Sequence, residues 1–289
     1  MFNKPKTPLD RSSLKVVFSC KNNQLRQPSA FRIAVIGTGH VAYHLATAWH
    51  NAGQHIVAVC GRNRPKAEQL AKLTEAAVCT DFTRIGAIEA DVYLIAVADD
   101  AITEVVEQLP VLQGIVAHTS AFAEMKVLQK FGQTGVIYPL QTFSVSRQLD
   151  YRRIPFFIEG SSEAQREVLA MLASCLSDVV IPADGDMRRK YHLAAVFACN
   201  FSNHMYSIAA ELLSNAGLLF ELLKPLILET AAKATDMEPR EAQTGPAKRN
   251  DKQTMNAHLD MLNLNPAYQD LYQQLSQLIH QFHAKKNHE

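Results

Sequence analysis

The sequence predicts an α/β protein: a doubly wound, mostly parallel sheet followed by an all-helical C-terminal region. Three observations predict it. From Phe31 to about Val180, short and nearly all-apolar runs alternate with helical patterns. The first run leads directly into a Gly-x-Gly-x-x-Ala turn at Gly37–Ala42. After Asp184 the strand-like runs stop and only helical patterns follow.

The candidate strands are Arg32–Ile36, Ile56–Cys60, Val92–Val97, Ile115–His118, Gly135–Tyr138 and Phe156–Glu159. Each is rich in Val, Ile or aromatic residues, as expected of strands buried on both faces of a helix-covered parallel sheet. Helical patterns at Val41–Ala52, Pro65–Leu73 and Ala101–Gln108 lie between them, which is the βαβ signature. Ala121–Phe131 reads as a further helix, with Ser120 as its N-cap. Beyond Asp184, helices are expected over Met187–Ala216, ended by Gly217, then Phe220–Thr235, Lys252–Leu262 and Pro266–Ala284. The polar stretch Glu238–Asp251 contains Gly245-Pro246, which breaks any helix there. Asp251 is expected to cap the helix that follows, and Asp100 the one starting at Ala101.

The chain has 289 residues, enough for two domains, with 47% hydrophobic and 20% charged residues. A net charge of +1 gives no electrostatic reason to expect nucleic acid or an anionic membrane as partner. No apolar run approaches the ~20 residues of a membrane-spanning helix. Five cysteines without a Cys-x-x-Cys pair argue against a disulfide framework or a cysteine-based zinc site, and a cytoplasmic location is expected. The first 28 residues carry six basic residues and one acid. With no basic amphipathic helix and no secretory apolar core, residues 1–29 read as a disordered leader or the product of an upstream start codon.

The turn after the first strand carries the chemistry. Gly37 allows the tight turn, Gly39 lets a pyrophosphate approach the backbone, and Ala42 keeps the helix close to the sheet. The helix that follows points its free N–H groups at the phosphates, so Gly37, Thr38, Gly39, His40 and Val41 are expected to contact a dinucleotide. At the tip of the second strand an NAD site places an acid for the ribose 2′-OH. Between Val57 and Lys66 there is none; Arg62, Asn63 and Arg64 stand there instead. Arginine suits a 2′-phosphate, so NADP (NADPH) is the expected cofactor. The other reading of these arginines is solvated loop charge.

With those residues in place, the nucleotide half resembles the 6-phosphogluconate-dehydrogenase-like superfamily, which includes ketopantoate reductase, pyrroline-5-carboxylate reductase and short-chain 3-hydroxyacyl-CoA dehydrogenase. Nearly the whole chain from Phe31 resembles the Rossmann-like, DUF2520-containing bacterial proteins. The likeness rests on IAVIGTGHVAYHLA, HTSAF at 118–122, YPLQTFS at 138–144, YHLAAVFACNFSNHM at 191–205 and TGPAKRND at 244–251. It implies a Rossmann NADP-binding domain over 30–183 and a helical domain over 184–289 for dimerisation and substrate. The resemblance also implies a nicotinamide ribose running past Ala96, Val97 and Ala98. It implies a substrate contact at Ser120, and Gln141 and Thr142 as cleft donors.

On the long helix, ketopantoate-reductase-like enzymes carry a lysine acid and asparagines spaced four apart. Here Lys190 falls on a different face from His192, so His192 takes the acid's place and Asn200 and Asn203 are expected to orient substrate. The same residues could serve helix packing or a dimer contact. Arg249 and His258 are expected near the interdomain cleft. The pairs His40/His44 and His280/His283 have no third ligand in sight, and no metal is expected. Two functions compete: an NADP-dependent oxidoreductase acting on a small polar carbonyl, imine or hydroxy acid, and a non-catalytic, dimeric NADP-binding sensor.

Overall fold

The computed structural model describes residues 30–284. The expected leader, 1–29, lies outside the described residues. Eight strands form one sheet: β1 (Arg32–Ile36), β2 (His55–Cys60), β3 (Ala77–Cys79), β4 (Val92–Ile95), β5 (Ile115–His118), β6 (Thr134–Pro139), β7 (Phe156–Gly160) and β8 (Val180–Pro182). Their order is β3-β2-β1-β4-β5-β6-β7-β8. Strands β1 to β6 pair in parallel, whereas β7 runs antiparallel to β6 and β8 parallel to β7. The first six strands therefore have the doubly wound order, with its switch point between β1 and β4.

Alternation along β1 feeds two cores. Ile33 and Val35 join Leu45 and Trp49 of α1 (His40–Asn51) and Ala67, Leu70 and Ala71 of α2 (Arg64–Leu73) on one face. Leu169 and Leu172 of α4 (Glu163–Ser174) complete that face. Ala34 and Ile36 face the opposite core with Phe82, Leu128, and Ile102 and Val105 of α3 (Ile102–Gln108). The fully buried Trp49 indole donates to the Leu172 carbonyl at 3.0 Å, which satisfies its only polar atom.

The chain divides into two compact units between Asn203 and His204. Helix α5 (Gly185–Ala195) and the π-helix Val196–Phe201 belong with the sheet. Asp184 caps α5 by accepting from the Met187 amide at 2.8 Å. Arg188, fully buried, ion-pairs with Glu159 of β7 and donates to the Ala123 carbonyl at 3.3 Å. The second unit holds most of α6 (Ser202–Asn215), then α7 (Lys224–Asp236), α8 (Pro239–Ala242), α9 (Pro246–Arg249), α10 (Lys252–Met261) and α11 (Pro266–Ala284).

The structure departs from the sequence expectations in several places. Strands β3 and β8 and helix α4 were not expected. The run 121–131 holds only a 3₁₀ turn, Met125–Leu128; Ser120 does accept from the Phe122 and Ala123 amides as an N-cap would, but no α-helix follows it. Asp100 sits inside a 3₁₀ turn, Asp99–Ala101, and caps nothing. The stretch 238–251 contains two one-turn helices on either side of Gly245. The expected single helix over 187–216 is interrupted by the π-helix. Asp251 does cap α10, accepting from the Thr254 amide at 3.1 Å.

The Arg188–Glu159 pair fastens α5 to the sheet. Replacing Arg188 by Met strands a largely buried carboxylate and is expected to cost about 3 kcal/mol of stability, read from denaturant midpoints. Adding Glu159→Gln should recover part of that loss; no recovery would mean the pair contributes nothing to seating the helix.

Candidate functional site

The site begins where β1 ends. Gly37 has φ +127°, and a Cβ there would lie 2.2 Å from the Ala96 carbonyl oxygen. Its amide donates to the Cys60 carbonyl at 2.8 Å, tying the turn to β2. Gly39 precedes α1 in extended backbone, and a Cβ there would meet nothing within 4 Å. That open space fits a diphosphate laid on the backbone. The first turn of α1 has no side-chain cap and no acid, so its N–H groups remain available to an anion. A groove of about 500 Å³ runs from this turn past Gly61, Arg62 and Asn63 on one side and Ala96, Val97 and Ala98 on the other. Sequence reasoning missed Gly61, Phe82 and Val105, which also line it. A Cβ on Gly61 would stand 2.7 Å from the Thr38 methyl, a signal a bare sequence does not carry.

At the tip of β2, Asn63 caps α2 by accepting from the Lys66 amide at 3.1 Å. Arg62 pairs with Glu104 at 3.0 Å and Arg64 with Glu68 at 2.7 Å. All four side chains are more than half exposed, so solvent screens both pairs and neither holds its arginine firmly. A charge-assisted bond to phosphate is worth about 1.5–3 kcal/mol, so a 2′-phosphate would outcompete either carboxylate.

The carboxyl ends of β4, β5 and β6 form the next part of the site. Ala98 borders the groove, and the adjacent Asp99 is close enough to Tyr138 for its charge to act on the phenol. Tyr138, at the end of β6, is pushed up to about 12 by burial, with Asp99 adding to the shift. Its hydroxyl stands 3.2 Å from Nδ1 of His192 on α5. Ala121, in the turn after β5, packs against the Tyr138 cluster. Ser120, buried beside it, accepts from the Phe122 and Ala123 amides at 3.0 and 2.9 Å, which leaves its own hydroxyl hydrogen to donate. Below it, His118 is pushed down to about 4 by burial and then by the Arg188 charge. Its Nδ1 accepts from the Ser120 amide at 3.2 Å, so this neutral imidazole braces the turn. Gln141 and Thr142 are exposed just past β6, with the Gln141 carbonyl oxygen turned onto the Thr142 amide at 2.8 Å.

Asn200 lies within the π-helix and Asn203 just after it, both exposed. In a regular α-helix, residue 200 would trail residue 192 by about 80°. The wider i→i+5 turn takes more residues per revolution and lessens that offset. Lys190 is held by Asp186 at 2.6 Å. In the second unit, Arg249 and His258 both act on Asp251, whose carboxyl is held low chiefly by the Thr254 amide and hydroxyl. Arg249 is exposed, while His258 is half-buried with Nδ1 2.8 Å from the Tyr272 hydroxyl.

His40 and His44 serve structure as well. His40 Nδ1 meets the Phe143 carbonyl at 3.1 Å; His44, buried, bridges the Ser144 carbonyl at 2.9 Å and the Tyr151 hydroxyl at 2.8 Å. Among the described residues, no group of three or more His, Cys, Asp or Glu could hold a metal, and no helix is long and apolar enough to cross a membrane.

Comparison with known proteins adds to this geometry. Residues 32–117 match the family model "NADP oxidoreductase coenzyme F420-dependent", and residues 154–279 match "Domain of unknown function (DUF2520)". A crystal structure of a "putative NADP oxidoreductase" from Bacteroides fragilis is 41% identical, with a TM-score of 0.81, covering 87% of this chain and 98% of that one. A protein from Thermotoga maritima is 22% identical, with a TM-score of 0.73, covering 86% and 98%. A reductive aminase from Aspergillus terreus, in complex with NADPH and ethyl-5-oxohexanoate, shares the fold at 13% identity and a TM-score of 0.69, covering 88% and 93%. No curated protein matches the chain.

Arg62→Ala and Arg64→Ala should each weaken NADPH binding about ten-fold and leave NADH binding unchanged, as read by titration. Equal losses for both cofactors would remove the arginines as readers of the 2′-phosphate.

Proposed function

The chain belongs to the family of Rossmann-like NADP oxidoreductases that carry a DUF2520 segment, and from that premise we propose that it moves hydride between NADPH and a small polar carbonyl, imine or hydroxy acid. One continuity carries this reading. The groove reaches Ala98, its neighbour Asp99 is near enough for its charge to act on Tyr138, and Tyr138 meets His192. The cofactor, when bound, supplies or accepts the hydride.

The protein's own residues would do the rest. The Gly37–Val41 turn holds the diphosphate, and Arg62, Asn63 and Arg64 hold the 2′-phosphate. Ala96, Val97 and Ala98 are small enough to let the nicotinamide ribose lie close. In the reductive direction His192 gives a proton to the substrate oxygen or nitrogen as hydride reaches the carbon; in the oxidative direction it takes one. Ser120, Gln141, Thr142, Asn200 and Asn203 offer short polar groups to orient the substrate. Arg249 and His258, gathered around Asp251, suit a carboxylate or phosphate.

Self-association is part of the proposal. No residue of α6, α7, α10 or α11 is buried within one chain, and Leu226, Leu228 and Leu278 of α7 and α11 are 61%, 71% and 61% exposed. Apolar faces of that extent are covered in a homodimer. Among the described residues Cys60, Cys79 and Cys199 are free thiols, which suits a reducing cytoplasm. One observation favours the second reading, an NADP-binding sensor: the lysine nearest to His192, Lys190, falls on a different face of the helix and pairs with Asp186.

A screen of carbonyls and imines that follows NADPH oxidation tests the reaction. His192→Ala should lower turnover about a hundred-fold. Turnover within a few-fold of wild type would remove His192 as the acid, and a screen that finds no oxidation would favour the sensor. Sedimentation equilibrium should give twice the chain mass; a monomer at micromolar concentration would remove the dimer.

A further inference from the structure

We propose that helix α1 holds the loop between β6 and β7 as a strap, and that His44 is its positioning residue: the Nε2–H of His44 fixes the Ser144 carbonyl and so sets Gln141 and Thr142 beside the cofactor turn. The inference rests on the reading of Gln141 and Thr142 as substrate donors. The loop leaves β6 at Pro139 and is anchored again at Leu149 and Tyr151, which pack against the core that α1 shares. Between those points residues 141–148 are exposed apart from half-buried Phe143, so hydrogen bonds rather than burial decide where the loop lies.

Two imidazoles one helical turn apart supply those bonds. His40 Nδ1 stands 3.1 Å from the Phe143 carbonyl, and His44 Nε2 stands 2.9 Å from the Ser144 carbonyl. A carbonyl oxygen only accepts, so each of these nitrogens carries a hydrogen, whether its ring is neutral or charged. The other nitrogen of His44, Nδ1, lies 2.8 Å from the Tyr151 hydroxyl. That contact holds in either charge state: the phenol donates to a neutral ring, or accepts from a charged one while donating to the His44 carbonyl at 3.1 Å. His44 is 4% exposed and its ring lies 5.1 Å from that of Phe143, so the bond to the strap is shielded from water.

These bonds join two halves of the site. His40 opens α1 directly after Gly39, where the diphosphate would lie, and Thr142 directly precedes Phe143. Val145, the residue after Ser144, lines one cavity of about 490 Å³ with Thr38, Gly39 and His40. The strap therefore passes along the phosphate turn. Gln141 and Thr142 stand within three residues of Ser144, a reach of at most about 10 Å, so a shift of that carbonyl is passed on to both. Ser144 also accepts from the Arg147 amide at 2.9 Å, which closes the turn on itself. His44 is what ties that turn to the helix.

Two substitutions separate the contacts of His44. In His44→Asn the amide group takes the place of Nδ1 and keeps the Tyr151 contact; in His44→Gln it takes the place of Nε2 and keeps the Ser144 contact. A role in packing alone would be disturbed by both alike. The readout is amide hydrogen exchange of the full-length protein with NADPH bound. Exchange over 140–150 should quicken about ten-fold in His44→Asn and stay near wild type in His44→Gln, with NADPH affinity unchanged in both. On a substrate found by the screen, KM should rise about five-fold in His44→Asn with kcat unchanged, and return toward wild type in His44→Gln. Unchanged exchange in His44→Asn, or the same change in both variants, overturns the inference, as does faster exchange with an unchanged KM. Ring ¹⁵N spectra of wild type need no folded variant beyond the one that identifies the signal: a His44 ring protonated at Nδ1 alone also overturns it. Gln141→Ala and Thr142→Ala test the underlying reading by themselves. KM unchanged in both would remove those residues as donors, whereas the exchange tests the strap separately.

Discussion

The site depends on one close approach, that of Gly37 to the backbone of Ala96. β1 and β4 are neighbours in space although β2 and β3 lie between them in sequence. Their pairing ends with the Ala96 amide donating to the Ile36 carbonyl at 2.7 Å. One residue later the chain at Gly37 turns away across the Ala96 carbonyl, where no side chain fits. That crossing is the floor of the groove. It lies at the point where the strand order reverses, so the two halves of the sheet splay on either side of it and leave a crevice. A methyl group at residue 37 would have to push β1 and β4 apart or move the turn, and the crevice would lose its shape before any ligand arrived.

The far side of the site is held by different means. The turn after β5 rests on a neutral buried imidazole, His118, and on a serine hydroxyl bonded to two amides. Helix α5 rests on a buried guanidinium. Those groups are polar and deep in the unit, and their bonds meet at the Ser120–Ala123 backbone, so moving one member disturbs the turn that the others hold. The cofactor side is thus shaped by the absence of side chains, and the other side by buried polar ones.

Much of this was legible in the residues. The strand-turn-helix at Arg32–Asn51 follows from an apolar run and two glycines, Gly37 and Gly39, all local signals, and β1 and β5 have the expected bounds. What was missed was set by tertiary contact. β3 is three residues long with two of them exposed, too short for alternation to show, and it exists because β2 offers an edge to pair with. The π-helix at Val196–Phe201 leaves no mark on composition, since one extra residue per turn depends on what the helix lies against. Arg188 stands in the run Arg188-Arg189-Lys190, and what distinguishes it from its neighbours is burial against Glu159, contributed by a strand from another part of the chain. Tyr138 reads as the last residue of a strand, and its hydrogen bond to a residue 54 positions later leaves no trace in the sequence.

The reversal of β7 has a metric consequence. Because β7 runs against β6, Glu159 lies opposite Val136, and Tyr138 is two residues further along β6. Two strand residues advance about 6–7 Å. On α5, Arg188 to His192 is four residues, an advance of about 6 Å. The helix and the strand therefore work like the two scales of a vernier, whose marks coincide at Arg188 with Glu159 and again at His192 with Tyr138. A residue added or removed between those marks would bring one pair into register only by taking the other out of it. The interval itself, four positions on one scale against two on the other, is the dimension that the intervening residues Arg189, Lys190 and Tyr191 must preserve whatever their side chains.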